Sequence, residues 1–392
     1  MKISTSYMLT THVGSLPRSD EVLRLIHAKA TRDGFDAGRY DDGMRKVVQD
    51  IVRRQSDVGL NVVNDGEQTK TSFVAYICSR LSGFEFIDPA EKPSLPPTRD
   101  ALAFPAVYDD IAQLTAFRRQ NTPLRLPRMW MRCTGPIRYA GHDDLKADID
   151  WLKAAIGSVP VEEAFMTAIS PSNLELNHRN EFYRTNEEYL TALCDAMHEE
   201  YKAIVEAGLI LQVDDPRMAT HFDRTPGVTI KECRRFIALR VEAVNYALRG
   251  IPEDRVRFHT CYSVNAAPRV HDLELRHYID LMLKVRAQAY SIEAANPRHE
   301  HEWQVFEDVK LPDGKILLPG VVSHCVALVE HPELVAQRLL RWARLVGREN
   351  VVASADCGFG TSAALDEVHP DVAWAKLKAL GEGARIASKE LW

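Results

Sequence analysis

No stretch of this chain approaches the roughly 18 consecutive apolar residues a bilayer-spanning helix needs, and the opening MKISTSYMLTTHVGS holds no apolar segment of signal-peptide length. A membrane partner is therefore not expected, and the cytoplasm is the expected compartment. Positive charge is not in excess: 49 Lys and Arg against 55 Asp and Glu leave a net charge of -6, which removes the electrostatic case for nucleic acid. The seven cysteines (Cys78, Cys133, Cys194, Cys233, Cys261, Cys325, Cys357) are scattered and odd in number, which suits reduced thiols rather than a disulfide framework. No G-x-G-x-x-G follows an early strand, so an open doubly wound sheet lacks its cofactor fingerprint; Gly358-Phe359-Gly360-Thr361 comes nearest and reads as turn chemistry. Internal repeats, low-complexity tracts and linkers are also missing, so one domain is expected over 1–392.

What is present is an alternation. Short β-rich runs lie near Thr10–Ser15, Asn61–Asp65, Ala164–Ser170, Leu209–Asp215, Arg255–Cys261, Ala289–Ala295, Ile316–Ser323 and Val351–Cys357. Between them run amphipathic patterns such as Leu145–Ile156, Tyr189–Glu206, Ile230–Arg249, Leu273–Arg286 and Pro332–Val346, with apolar residues recurring at three and four. Eight strands alternating with helices predict an α/β chain folded as a closed (β/α)8 TIM barrel. One run, Arg128–Pro136, is surplus. It follows a Pro-rich segment, 89–127, that no helix pattern fills, so about 89–136 is assigned to an insertion carrying an extra strand between barrel strands 2 and 3.

Chemistry in such barrels gathers at the carboxyl ends of the strands. Here those ends carry His12-Val13-Gly14-Ser15, Asp65-Gly66-Glu67, Asp214-Asp215, His259-Thr260-Cys261, Glu293, Ser323-His324 and Asp356-Cys357. Residues i and i+2 of a strand point to one side, so His259 and Cys261 can offer nitrogen and sulfur to one point, the kind of pair zinc accepts. A core histidine beside a buried free thiol is the plainer reading of the same residues. Glu293 falls where a barrel interior lies, and a carboxylate buried without a cation or metal is expensive. Asp214 and Asp215 suit either function or a helix cap, and Glu67 likewise. His324 suits a zinc ligand, a proton carrier or a satisfied loop histidine. The other five cysteines read as packing residues.

The segments TTHVGSLPR (10–18), VVNDGE (62–67), LQVDDP (211–216), FHTCY (258–262), YSIEA (290–294), PGVVSH (319–324) and SADCG (354–358) together resemble the catalytic barrel of cobalamin-independent methionine synthase and its single-barrel relatives. The resemblance implies a zinc-dependent methyltransferase in which the metal activates the thiol of homocysteine toward a methyl donor. It implies His259, Cys261, Glu293 and Cys357 as zinc ligands, with Glu293 the most easily displaced. It also implies Gly14 and Ser15 at the amino-acid part of the substrate, with Glu67 and Asp214 facing its ammonium, and His324 with Asp214 in catalysis.

The chain departs from that family in three places. A second, N-terminal barrel is not present in this sequence, Ser170-Pro171-Ser172-Asn173 stands near where a folate-stacking tryptophan belongs, and Ser323-His324 changes the partner and register of the proton-donating histidine. Epoxide opening by a thiol, as in epoxyalkane:coenzyme M transferase, is the alternative; its sulfonate needs cations, for which Arg18 and Lys70 are the candidates. A non-catalytic barrel that binds metal or a corrinoid protein is a third reading, and a second copy of the chain is an open partner.

Overall fold

Ile210-Leu211-Gln212-Val213-Asp214 shows how the strands are made: every side chain is buried, as in a parallel sheet covered on both faces, and polarity enters only at Gln212 and the carboxyl end. The computed structural model describes residues 1–87, 96–121, 131–263, 267–363 and 368–392. Its strands, in chain order, are β1 (Leu9–Thr10), β2 (Val62–Val63), β3 (Leu81–Phe86), β4 (Met131–Tyr139), β5 (Glu163–Ile169), β6 (Arg179–Asn180), β7 (Ile210–Asp214), β8 (Val256–His259), β9 (Ala289–Ile292), β10 (Ile316–Val322) and β11 (Val352–Ala355).

Eight of them form a sheet in the order β1-β11-β10-β9-β8-β7-β5-β2, with every pairing parallel. The ends of that order meet through Asn61 N donating to Thr10 O at 3.2 Å and Thr10 N donating to Asn61 Oδ1 at 2.6 Å. The fold is the expected (β/α)8 barrel, and each of its strands falls within a run read from the sequence or overlaps it. At the amino-terminal end the first residues of several strands, Leu9, Ala289, Ile316 and Val352 in one cluster and Val62 and Ile210 in another, pack with Met1. Higher up the interior turns polar: Arg257, fully buried, lies over the Phe165 ring at 3.9 Å and donates to His12 O at 2.7 Å.

The helices follow from stripe and cap. Ala37–Asp57 buries Tyr40, Met44, Val48 and Val52, spaced by four, and Asp36 caps it by accepting from Arg39 N at 2.7 Å. Each fully buried apolar side chain in that stripe contributes about 1.5–3 kcal/mol. The pattern over Pro332–Val346 forms a helix with those bounds. The one over Leu273–Arg286 does not: it breaks into a 3-10 turn, Leu275–His277, and a single turn, Ile279–Met282, at Tyr278, whose φ of -143° is not helical and whose hydroxyl donates to Tyr262 Oη.

A second sheet, β3-β4-β6, stands outside the barrel. The surplus run is therefore a strand in its described part, with 128–130 outside the described residues, but its partners were not read from sequence. The segment expected to lack helices needs correcting: Arg99–Ala103 and Pro105–Asn121 are helical. Leu102, Val107 and Leu114 there are exposed, so no buried stripe marked the helices.

Candidate metal and substrate site

Strand register does the first part of the assembly. Asp214 pairs with His259, and His259 with Ser291, so three neighbouring strands present their carboxyl ends at one level. Cys261 follows His259 by two residues and stays on its side; Cys357 arrives from the turn after β11. Ligand atoms of His259, Cys261 and Cys357 all lie within 4.8 Å of one another, and the two sulfurs are 3.3 Å apart. All three residues are buried.

The imidazole is prepared for a ligand. Its Nδ1 lies 3.0 Å from Ser291 Oγ, while Nε2 is buried with no hydrogen-bond partner. An unpaired buried nitrogen costs free energy unless something binds it. A hydrogen bond from Cys357, and then the neighbouring His259, pull the Cys261 thiol well below its usual range; the same Cys261 bond, helped by burial, pushes Cys357 well above it. Burial works against a charged His259, yet the neighbouring Cys261 thiolate, with Asp214 and Glu293, raises it overall. A donor set with one sulfur inclined to the thiolate suits a thiolate-binding ion.

Glu293 is not among the three. It groups with His324 and Asp356, whose ligand atoms also fall within 4.8 Å of one another. Its Oε1 accepts from Tyr262 N at 2.6 Å and its Oε2 from Arg269 at 3.1 Å, so Arg269 supplies the cationic partner that the sequence did not reveal. Burial still pushes the carboxyl up to about 8 against the pull of Arg269. His324 does not line the cavity: its Nε2 meets Ser263 O at 3.1 Å, and burial, then the Arg269 charge, hold it down at about 3.

In front of the sulfurs is a cavity of about 170 Å³, lined by Ser15, Glu67, Asp214, His259, Cys261 and Cys357 among others. Gly14 shapes its wall. At φ +146° a side chain there is strained, and a Cβ would stand 2.6 Å from Thr167 Cγ2. Glu67 takes a left-handed φ of 54°, fixed by Asp65 Oδ1 accepting from its N–H at 3.0 Å. No helix follows for it to cap. Oε1 accepts from Thr167 Oγ1 at 2.6 Å, while Oε2 is buried without a partner. Burial pushes Asp214 up to about 7; Asp215 instead caps the helix Pro216–Arg224, accepting from Met218 N at 3.2 Å. Neighbouring acids thus split into a cavity group and a structural one by the strand's alternation.

Arg18 and Lys70 do not line the cavity. Arg18 donates to the carbonyls of Glu67 and Gly360 at 2.6 Å, and Lys70 to Thr167 O at 2.7 Å. The sequence reading missed Asn173, Arg217 and Arg224, which do line it. The 217, 221, 224 spacing on one helix face was the signal. Cys133, Cys194 and Cys233 are core residues, as expected.

A parallel barrel with an imidazole and two thiols converging at its strand ends, beside a carboxylate-lined cavity, is the frame of a barrel enzyme with a candidate metal site. The chain belongs to the family described as "Cobalamin-independent synthase, Catalytic domain", whose model matches residues 8–123 and 166–377. The unmatched 124–165 contains β4. A methionine synthase of Thermococcus kodakarensis is 23% identical over 97% of this chain and 94% of that protein. A 5-methyltetrahydropteroyltriglutamate–homocysteine methyltransferase of Thermotoga petrophila is 23% identical over 90% of this chain but 41% of its own length. The barrel also matches the B12-independent methionine synthase of Shewanella sp. W3-18-1 in complex with selenomethionine, with TM-score 0.70 and 20% identity over 98% and 99% of the two chains.

Proposed function

We propose that the protein is a zinc-dependent thiol methyltransferase with homocysteine as the acceptor. The observation that carries this reading is the buried trio His259, Cys261 and Cys357, with an unpartnered Nε2 and two sulfurs 3.3 Å apart. Two sulfurs and an imidazole nitrogen brought this close together are a donor set that would hold zinc. Zinc bound there would keep a substrate thiol deprotonated at neutral pH, and so nucleophilic.

The chain's own residues do the rest. Ser291 holds the His259 ring so that Nε2 faces the ligand position. Glu67 Oε2 and Asp214 stand ready for the substrate ammonium, with Ser15 beside them, and the Gly14 turn lets that wall approach closely. Glu293, held by Arg269 and the Tyr262 N–H, would be the fourth ligand and the one most easily exchanged for substrate sulfur. His324 acts on that carboxylate as a positioning residue. The family relatives named for homocysteine methylation favour this over the non-catalytic reading, which has no use for an unpartnered Glu67 oxygen.

The test is zinc analysis of purified protein followed by zinc-edge spectroscopy with homocysteine. One zinc per chain and one added sulfur ligand are expected. A spectrum without the added sulfur, or full activity after exhaustive chelation, refutes the proposal.

A further inference from the structure

The loop that holds Glu293 is itself held from outside the barrel. Arg269, which donates to Glu293 Oε2 at 3.1 Å, has a left-handed φ of 55°, a conformation a bulky side chain keeps only when its surroundings hold it there. The two residues after it are held by Asp100. Its buried Oδ1 accepts from Val270 N at 3.2 Å, from His271 N at 3.1 Å and from His271 Nδ1 at 2.6 Å. Asp100 belongs to the short helix Arg99–Ala103 of the insertion, which is pinned in turn to the end of Pro216–Arg224. Asp100 N donates to Asp223 Oδ1 at 2.9 Å, and Arg99 Nε to Phe222 O at 2.8 Å. The insertion thus ties a helix bordering the cavity to the turn that carries Arg269.

Asp272, the other acid beside Arg269 on this loop, is engaged by His299 Nε2 at 3.0 Å, and the guanidinium is paired with Glu293, both side chains being buried. A buried carboxylate without a cation is expensive, so Glu293 stays with whichever cation is offered to it. With Arg269 held in place, the carboxylate groups with His324 and Asp356 and not with His259, Cys261 and Cys357. With Arg269 released, a metal at those three donors is the alternative cation.

We propose that Asp100 is a positioning residue for the metal site: by gripping residues 270 and 271 it holds Arg269 on Glu293 and keeps that carboxylate a weak, exchangeable metal ligand. This rests on the zinc reading above and goes beyond it, because it gives the insertion a part in tuning the metal site from outside the barrel.

The test measures zinc affinity by chelator competition, and amide hydrogen exchange in metal-free protein, for Asp100→Ala, Asp100→Asn and Arg269→Gln, with circular dichroism confirming the fold. Arg269→Gln leaves Glu293 without its cation and should tighten zinc about tenfold, the scale on which groups around a metal ligand act. Asp100→Ala should speed exchange at the Val270 and His271 amides and tighten zinc by about threefold or more. Asp100→Asn, which keeps the shape and one acceptor oxygen, should tighten it by about twofold, and it carries the comparison if the alanine variant does not fold. Combining Asp100→Ala with Arg269→Gln should bind zinc no more tightly than Arg269→Gln alone, since both act through one contact. A merely structural role for Asp100 predicts lost stability without tighter zinc and without that coupling. Unchanged or weaker zinc in the Asp100 variants, or additive gains in the double variant, overturns the proposal while zinc binding by wild type stands. Wild-type protein that binds no zinc sinks the zinc reading and this proposal with it.

Discussion

Replacing Ser291 by alanine removes one oxygen and tests how the metal site is built. Ser291 Oγ lies 3.0 Å from His259 Nδ1, and His259 Nε2 is the only ring atom left for a ligand. If the serine accepts from Nδ1–H, it fixes the tautomer with its lone pair on Nε2. The strand itself should survive, because Thr260 N still donates to Ser291 O at 3.2 Å. Losing the partner of a ligating histidine weakens metal affinity about 10–100-fold, or about 1.4–2.7 kcal/mol. Metal-free protein should lose a further ~1–3 kcal/mol of stability for the buried nitrogen left unpaired. The control is Ser354→Ala on β11: that hydroxyl is equally buried but has no partner among the described residues, so its loss should be neutral or stabilising by ~1 kcal/mol. Zinc affinity is read by competition with a chromophoric chelator, and stability by urea denaturation. Zinc affinity within twofold of wild type in Ser291→Ala, or an equal loss in Ser354→Ala, refutes the reasoning.

Glu67→Gln keeps the shape of the cavity but deletes the charge facing the substrate ammonium; KM for homocysteine should rise 10–100-fold from a lost charge-assisted bond of about 1.5–3 kcal/mol, with zinc content intact, and a change below threefold would count against the amino-acid pocket. Gly358→Ala puts a Cβ 2.0 Å from Ser15 Oγ, so zinc per chain should fall while the circular dichroism of the outer helices persists; full zinc loading would show that the approach is not needed. His12 accepts from Gly14 N at Nδ1 and faces Gln55 through Nε2, and burial pushes it down to about 3. Because its folded value lies below the ordinary 6.5, the unfolded chain takes up the proton first. The stability His12 contributes is present above pH 6.5 and is lost as pH falls toward 3, on the order of a few kcal/mol. The advantage of wild type over His12→Asn should shrink across that window, and a constant difference would refute it.

The barrel was legible because its signal is local. Runs such as LILQV and ILLPGVV are short, apolar and bounded by turns, and the polar residue closing each run marks its carboxyl end. The convergence of His259, Cys261 and Cys357 was legible for the same reason: His259 and Cys261 obey a period of two, and Cys357 follows the last strand. What stayed hidden depends on contacts distant in sequence. Arg269 reaches Glu293 across 24 residues, and nothing in YSIEA announces it. The small sheet was half-read, since β6 is two residues long and β3 pairs with a strand some fifty residues away. The described side chains of the helix Pro105–Asn121, residues 105–115, give no buried stripe by which a helix is recognised, and Leu273–Arg286 has the stripe but is broken at Tyr278.

The raised values at the inner end of the cavity have two physical causes. Asp214 at about 7 marks a buried carboxyl whose desolvation outweighs the pull of His259 and Lys70, and Cys357, well above the ordinary thiol range, keeps its proton in a bond to Cys261. Arg257 beneath them is already committed to Thr11 and His12 O, and Arg269 to Glu293. Arg217 and Arg224 are spread along a helix of about 13 Å and face outward into the cavity, too far to replace that proton. On the proposed reading, the two sulfurs would take a divalent ion, and Asp214 with the unpartnered Glu67 Oε2 would take a substrate ammonium. If both bind as proposed, each would draw protons off its neighbours and favour the other, coupling the metal to the amino acid through charge alone.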